Sequence, residues 1–264
     1  MAPLHVFAGT EGTVVYPRVR RIGIADLSYA IRKGWEDFWA QPTHLIFLAI
    51  MYPIIGIFAA RMVFGYRIFP LLFPLASGFA LIGPIAAVGL YEMSRQRERG
   101  VDVKWTHALG VLRSPSRDGI LALGFLLMIV FLVWVAIAQS LYHSLFGYAP
   151  PESFNAFVRE VFTTPEGWTL IVVGNAIGFC FAVLVLVTSV VTFPMLLDRD
   201  VGAAVAVTTS VRAVIRNPVM MALWGLFVAV ALVLGSLPFF IGLAIVVPVL
   251  AHATWHLYRR VVDY

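Results

Sequence analysis

The sequence predicts an all-α, polytopic transmembrane helix bundle, in which six spans form three hairpins and an amphipathic interfacial helix precedes each hairpin. Hydrophobic residues make up 61% of the 264 residues and charged residues only 12%, whereas a soluble chain is about half apolar and about a quarter charged. The apolar residues form runs that can cross about 30 Å of hydrocarbon, and Lys and Arg fall between the runs. Because a soluble fold could not bury this much apolar surface, lipid must be the solvent for much of it.

The apolar runs define the spans. The last two come from one run over 218–251, which as a straight helix would be roughly 50 Å long and would exceed the bilayer. The phrase Gly235-Ser236-Leu237-Pro238 lies at the middle of this run and is a turn signal, so we predict a helical hairpin there. The predicted spans lie near residues 44–64, 68–91, 119–141, 169–197, 219–236 and 238–258.

The basic residues predict the orientation of these spans. Of the 19 Lys and Arg residues, 16 lie in the N-terminal arm, residues 92–118, residues 198–218 and the C-terminal tail, and three lie on the opposite side. This asymmetry places both termini in the cytoplasm. Residues 1–43 contain no apolar signal-peptide segment, so we expect the first span to act as an uncleaved anchor.

The linkers before the hairpins predict interfacial helices. Residues 24–39, 102–113 and 201–215 each repeat apolar residues at steps of three and four, and a proline follows each stretch shortly before a span. We expect a cytoplasmic extension over 1–23 and a transmembrane domain over 24–264, with a threefold repeat of 24–100, 101–201 and 202–264. In the first helix the predicted apolar stripe is Ile24, Leu27, Ile31, Trp35 and Phe38, and the residues expected mainly on the other side are Arg32, Lys33, Glu36 and Asp37.

Two histidines are the candidate metal ligands. His252 and His256 are four residues apart and lie on one face of a helix, and such a pair can ligate zinc or contribute to a copper or haem site. Further ligands would have to come from elsewhere, for example from His107 or Glu92. The alternative is a helix end at the cytoplasmic interface, where His, Trp and Tyr side chains act as amphipathic anchors.

Small residues in two spans predict close helix contacts. In the fourth span two glycines flank an amide, which could hydrogen-bond to a neighbouring helix, and glycines and a proline crowd the second span. Packing is the first interpretation of both patterns, and a pathway through the second span is the alternative. The packing candidates are Gly174, Asn175, Gly178, Gly78, Gly83 and Pro84.

The chain lacks the patterns that predict enzymatic chemistry. We find no nucleotide-binding glycine loop, no defensible Ser-His-Asp arrangement and no paired carboxylates, and the spans have no ionisable residue near the bilayer centre. The single cysteine, Cys180, excludes a disulfide within the chain. The net charge of +5 comes from charges that set topology, so we expect no nucleic-acid partner. We therefore predict a protein that is not an enzyme and needs no cofactor.

Several phrases resemble a bacterial integral membrane family called domain of unknown function 2189. The resemblance covers residues 22–262 and implies a multi-pass protein of the bacterial cell inner membrane. Some members of that family carry a label that links them to cytochrome c oxidase, which implies an accessory role near respiratory complexes. The phrases that carry the resemblance are Gly34-Trp35, Asp37-Phe38, Gly83-Pro84, Gly89-Leu90-Tyr91-Glu92, Ser210-Val211-Arg212-Ala213-Val214, Asn217-Pro218 and His252-Ala253-Thr254-Trp255-His256-Leu257-Tyr258-Arg259.

We expect a non-enzymatic scaffold or accessory subunit whose partners are the lipid bilayer and other membrane subunits. One alternative is a transporter of small molecules or lipids, which the repeat and the glycine-rich second span would suit. The second alternative is a metal or haem binder that uses His252 and His256. A catalytic oxidase subunit is not expected, because the sequence lacks paired histidines on several spans.

Overall fold

A computed structural model describes residues 17–40, 70, 72–104, 107–108, 110–111, 114–149, 151–238 and 240–263. Within these residues the fold is helical apart from two short strands, which confirms the all-α prediction. A 3₁₀ turn over Ala80–Ile82 separates the helices Leu72–Phe79 and Gly83–Ala86. The elements are β1 (Arg18–Val19), α1 (Ile24–Ala40), α2 (Leu72–Phe79), α3 (Gly83–Ala86), α4 (Val88–Glu98), α5 (Arg117–Phe146), α6 (Phe154–Thr163), α7 (Pro165–Ser189), α8 (Thr192–Asp198), α9 (Ala203–Arg216), α10 (Pro218–Ser236), α11 (Leu243–Val261) and β2 (Val262–Asp263).

Three helical stretches of the described chain are long and apolar enough to cross a membrane. They are Arg117–Phe146, Pro165–Asp198 and Pro218–Ser236, and they contain the third, fourth and fifth predicted spans. The first predicted span, 44–64, lies outside the described residues. The second, 68–91, is divided among short helices, and the sixth, 238–258, overlaps α11. Six spans and their arrangement in hairpins therefore stay predictions.

The helix ends follow from local sequence. Pro165 and Pro218 are the first residues of α7 and α10. Proline is tolerated there because the N–H that it lacks would have no hydrogen-bond partner within the helix. Gly147, with a φ of 78°, follows the last residue of α5. In the turn after α10, a Cβ on Gly242 would lie 2.8 Å from the Cα of Gly235, so two glycines permit this close approach of the backbone. The predicted break in the long apolar run is confirmed.

The chain divides into two compact units that alternate along the sequence. One comprises residues 1–49, 84–124 and 186–264, and the other comprises residues 50–83 and 125–185. In the second unit the core forms around Trp134 on α5, whose indole N–H donates a 2.9 Å hydrogen bond to the carbonyl of Pro74. The division at residue 24 and the threefold repeat stay predictions.

In the first unit the two ends of the described chain pair with each other. β1 and β2 are antiparallel, with Arg18 opposite Asp263. The buried side chain of Asn217, between α9 and α10, fastens the segment that follows β1. Its Oδ1 accepts from the Ile22 N–H at 2.9 Å, and its Nδ2 donates to the Arg20 carbonyl at 2.9 Å.

Helix α1 confirms the predicted helix over 24–39, but its buried face differs from the predicted stripe. Ile24 and Trp35 of that stripe are exposed, and Asp37, expected mainly on the other side, is buried. The reason is that positions 27, 30, 34 and 37 follow each other at helical steps and face α11, so Asp37 shares their face. The buried residues of α1 are Leu27, Ala30, Gly34, Asp37 and Phe38.

Candidate functional site

A buried polar cluster joins α1, α4 and α11 in the first unit. Its members are Asp37 on α1, Ser94 and Arg97 on α4, and His252 and His256 on α11; we call these five residues the Asp–His cluster. The local packing explains the meeting of the first and last of these helices. A Cβ on Gly34 would lie 2.6 Å from the backbone nitrogen of Ala253, so the helices touch there through backbone. Asp37 and His256 each lie three residues further along and come within hydrogen-bond distance.

The carboxylate of Asp37 accepts hydrogen bonds from three side chains. Its Oδ2 accepts from Ser94 Oγ at 2.6 Å and from His256 Nε2 at 2.8 Å. Its Oδ1 accepts from Arg97 Nη1 at 2.9 Å. The residue is only 4% exposed. Burial on its own raises the pKa of Asp37, but the hydrogen bonds from His256 and Ser94 outweigh it and hold that pKa below its usual value.

The same bonds fix the tautomer of His252. Ser94 has one hydroxyl proton and donates it to Asp37, so the oxygen of Ser94 must accept in its 2.8 Å contact with His252 Nδ1. Nδ1 of His252 therefore carries a proton. The other ring nitrogen, Nε2, is buried and has no hydrogen-bond partner among the described residues. The chain of donors runs from His252 through Ser94 to Asp37.

Neighbouring polar groups also fasten helices to one another. Glu92 forms an ion pair with Arg95 at 2.7 Å, and Arg95 donates to the carbonyl of Leu197 at the end of α8. Glu98 accepts from the indole N–H of Trp255 at 3.2 Å. Around the end of α11 the further contacts are Arg259 with Glu98 at 3.1 Å, Tyr258 with Asp198 at 2.9 Å and Arg259 with Asp198 at 3.4 Å.

The histidine pair lies in the cluster, and its partners bear on both sequence interpretations. The described residues include no group of three or more His, Cys, Asp or Glu side chains placed to hold a metal ion. Glu92 binds Arg95, and His107 contacts the backbone of Lys104. The metal hypothesis stays a prediction. The interpretation as interfacial anchors is wrong for His252, which is 0% exposed and bonded inside the protein.

The hydrogen bonds of the Asp–His cluster connect three helices. They do not place a strong base beside the hydroxyl of Ser94. Ser94 donates to a carboxylate that already holds two other donors, so Asp37 is a weak base toward it. The hydroxyl is also buried within the first unit. A nucleophile needs a base that can take its proton and a path for the substrate.

The predicted packing residues divide into two groups. A Cβ on Gly78 would lie 2.7 Å from the ring of Phe131, and one on Gly178 would lie 3.1 Å from the ring of Trp134. The contacts are looser elsewhere: a Cβ on Gly174 would meet Leu141 at 3.7 Å, and one on Gly83 would meet nothing within 4 Å. Pro84 is half-buried in α3.

The amide of Asn175 donates to the carbonyl of Ile171 in its own helix at 2.7 Å, and a cross-helix bond of this residue stays a prediction. The sequence interpretation also missed Asp37 and Ser94 as partners of the histidines. Asp37 could have been found, since it continues the spacing of Leu27, Ala30 and Gly34. Nothing in the sequence around Ser94 distinguishes it from other polar residues of α4.

Comparisons with known proteins give one match, to a family model. No curated protein and no solved structure matches the chain. A family model described as "Predicted integral membrane protein (DUF2189)" matches residues 71–198. This stretch includes Ser94 and Arg97 of the cluster and the helices α5 and α7. This match confirms the resemblance drawn from the sequence: over residues 71–198 the chain is similar to the DUF2189 family of predicted integral membrane proteins.

Proposed function

We propose that this integral membrane protein is a non-enzymatic scaffold or accessory subunit of a multi-subunit assembly in the bacterial inner membrane. The observation that carries the proposal is the set of bonds around the buried carboxylate of Asp37, which accepts hydrogen bonds from Ser94, Arg97 and His256 on two other helices. Buried polar groups that bond to each other specify how helices meet. The resemblance to proteins with a cytochrome c oxidase label suggests respiratory complexes as the setting.

The outward surfaces of the candidate spans support this reading over transport. α5 and α7 expose large apolar side chains such as Phe125 and Phe179, which suit lipid or the apolar face of another subunit. Polar side chains on these helices bond to their own backbone: Thr169 donates to Pro165 and Asn175 to Ile171. Ser140 and Ser144 line an open cavity on α5 and α7, but the rest of its lining is apolar, whereas a pathway for polar substrates would need more polar groups turned toward it.

The pairing of β1 with β2 supports a topology in which both termini share one side of the membrane. Arg18 and Asp263 are opposite each other in this ladder, which favours a chain that returns to the side from which it began. Together with 16 of 19 basic residues in the segments assigned to that side, this favours cytoplasmic termini.

The assembly is tested by purification in a gentle detergent, followed by native mass spectrometry and analysis for metal and haem. We expect a defined complex heavier than the 29.1 kDa chain, with the same subunit ratio in every preparation. A solitary chain without metal would contradict both the scaffold and the metal hypothesis. Stoichiometric haem or metal that is lost in a His252→Ala variant would replace the scaffold with the metal-binding alternative.

Transport is tested by cysteine accessibility, for which the single cysteine is an advantage. Cys180→Ser leaves a chain without cysteine, into which single cysteines are placed along residues 124–138 of α5. We expect a membrane-impermeant maleimide to leave these positions unlabelled and to label a cysteine at exposed Ser28 from the cytoplasmic side. A row of labelled positions at mid-membrane would favour a transporter and contradict the scaffold.

A further inference from the structure

A cavity lined by arginines lies where α9 meets the N-terminal strand. It is open, has a volume of about 710 Å³, and belongs wholly to the first unit. Its size falls within the range of about 300–1,000 Å³ usual for small-ligand sites. Among the described residues it is lined by Pro17, Arg18, Val19, Arg212, Ile215 and Arg216.

The charge of the cavity favours an anion. Three arginines, Arg18, Arg212 and Arg216, are among its lining residues, and no described carboxylate is. Asp263 is opposite Arg18 in the strand pair but is not among the lining residues. Arginine presents a planar fork of donors that matches phosphate oxygens, so a phosphate group is the anion that this lining fits.

The cavity is held together by a buried bond network. Arg212 and Arg216 are one turn apart on α9, so both project from one face of that helix. Asn217, which is 5% exposed, bonds to the Ile22 N–H and to the Arg20 carbonyl. It therefore holds the strand that carries Arg18 against the end of α9. These bonds and the helix spacing hold the segments that carry the three arginines beside one cavity.

The position of the cavity relative to the membrane points to a lipid. The candidate span α10 begins at Pro218, two residues after Arg216, so the cavity lies at the level where a bilayer has its headgroups. Beside the arginines, Ile215 is 72% exposed, and Val219 at the start of the span is also exposed. Basic residues next to apolar side chains at this level suit a phosphate headgroup and the start of its acyl chains.

We propose that this cavity is a binding site for the phosphate headgroup of an anionic membrane lipid, with Arg18, Arg212 and Arg216 as its ligands. The site is independent of the scaffold function, since a transporter or a metal-binding protein could carry it equally. The lipid would bridge the N-terminal strand and α9 at the membrane surface. Zwitterionic lipids would bind less well, because their headgroups carry a positive charge into a positive cavity.

The test uses the full chain in nanodiscs that contain phosphatidylcholine and phosphatidylglycerol, with native mass spectrometry of the lipid that stays bound after release. We expect phosphatidylglycerol to be retained over phosphatidylcholine. In the double variant Arg212→Gln/Arg216→Gln, affinity for phosphatidylglycerol should fall about thirtyfold, since each arginine near a membrane surface contributes about fivefold. The matched control is Arg99→Gln/Arg117→Gln, which removes two exposed charges outside the cavity.

The outcomes distinguish lipid binding in the cavity from non-specific attraction of lipid to exposed basic residues. Equal retention of both lipids by the wild type, or an equal loss in the control variant, would overturn the proposal. Inorganic phosphate supplied in detergent distinguishes the two sources of the same chemistry. If it binds the wild type, but not the double variant, with the affinity of the lipid, then free phosphate is the ligand and the lipid claim fails. Unchanged thermal unfolding of the double variant shows that its loss of binding reflects the removed arginines.

Discussion

Gly34→Ala is the sharpest test of how α1 meets α11. The added Cβ would lie 2.6 Å from the backbone nitrogen of Ala253 and 2.8 Å from its Cα. Ordinary carbon contacts begin near 3.5 Å, so the helices would have to separate by about 1 Å. A backbone neighbour cannot rotate away as a side chain could. The methyl group therefore acts on the packing of the whole helix pair.

The separation would also reach the Asp–His cluster. The bond between Asp37 Oδ2 and His256 Nε2 is 2.8 Å long, and a displacement of about 1 Å takes it beyond hydrogen-bond range. Overpacking costs about 1–3 kcal/mol, and a lost bond to a charged group costs about 1.5–3 kcal/mol. Because α1 can relax partly, we expect Gly34→Ala to lower the free energy of unfolding by about 2–4 kcal/mol.

The assay is denaturant unfolding of the purified protein in detergent, with tryptophan fluorescence as the readout. The matched control is Gly83→Ala, because a Cβ there meets nothing within 4 Å and alanine is the better helix former. We expect the control to be as stable as the wild type or slightly more stable. Equal unfolding curves for Gly34→Ala and Gly83→Ala would refute the close contact between α1 and α11.

Three further predictions use the same unfolding assay. Asn217→Ala removes the bonds to Ile22 and Arg20 and should cost about 2–3 kcal/mol, whereas exposed Asn175→Ala should change stability by less than about 0.5 kcal/mol; equal effects would contradict the network. The pKa of Asp37 is lowered in the folded protein, so its contribution to the free energy of unfolding is complete above the ordinary pKa of 3.8 and is lost as the pH falls through the lower folded pKa. Asp37→Asn should therefore be less stable than the wild type at neutral pH by about 3 kcal/mol. In acid its free energy of unfolding should fall less than that of the wild type, because the variant has no carboxylate to protonate at this position. Gly78→Ala should destabilise by about 1–3 kcal/mol through the ring of Phe131, while Gly174→Ala should not, and the reverse order would show that Gly78 is not at a tight contact.

Apolar periodicity predicted that α1 and α9 are helices, but it did not predict the buried face of α1. The predicted stripe of α1 includes Ile24 and Trp35, which are exposed, and apolar Ile215 near the end of α9 is exposed as well. In a soluble protein the apolar face is the buried face. At a membrane surface an apolar side chain can face lipid as well as protein, so hydrophobicity alone does not tell which stripe packs on α11. Small residues are a better guide here, because only Gly34 lets the backbones touch.

The His252 and His256 pair was recognisable from its spacing, while its contact with Asp37 and Ser94 was not. Asp37 and Ser94 are 215 and 158 residues away from His252 in sequence, and no local pattern connects them.

The spans also show that a sequence predicts single segments better than contacts between segments. Length and composition predict α5, α7 and α10 well, since crossing a bilayer is a property of one segment. Which polar side chains meet depends on the packing of several segments.

The polar bonds of the first unit follow from the solvent in which this chain lies. Lipid tails are as apolar as leucine, so burying apolar surface gives little preference for one helix arrangement over another. A buried carboxylate that lacks one of its donors, by contrast, costs several kcal/mol. Asp37 has donors on α4 and α11, and Asn217 similarly joins the end of α9 to the N-terminal strand. Any arrangement that shifts α1 by one turn takes Asp37 away from its donors on α4 and α11. The polar bonds therefore specify which elements meet, and the apolar surface of α5, α7 and α10 stays available for lipid or for another subunit.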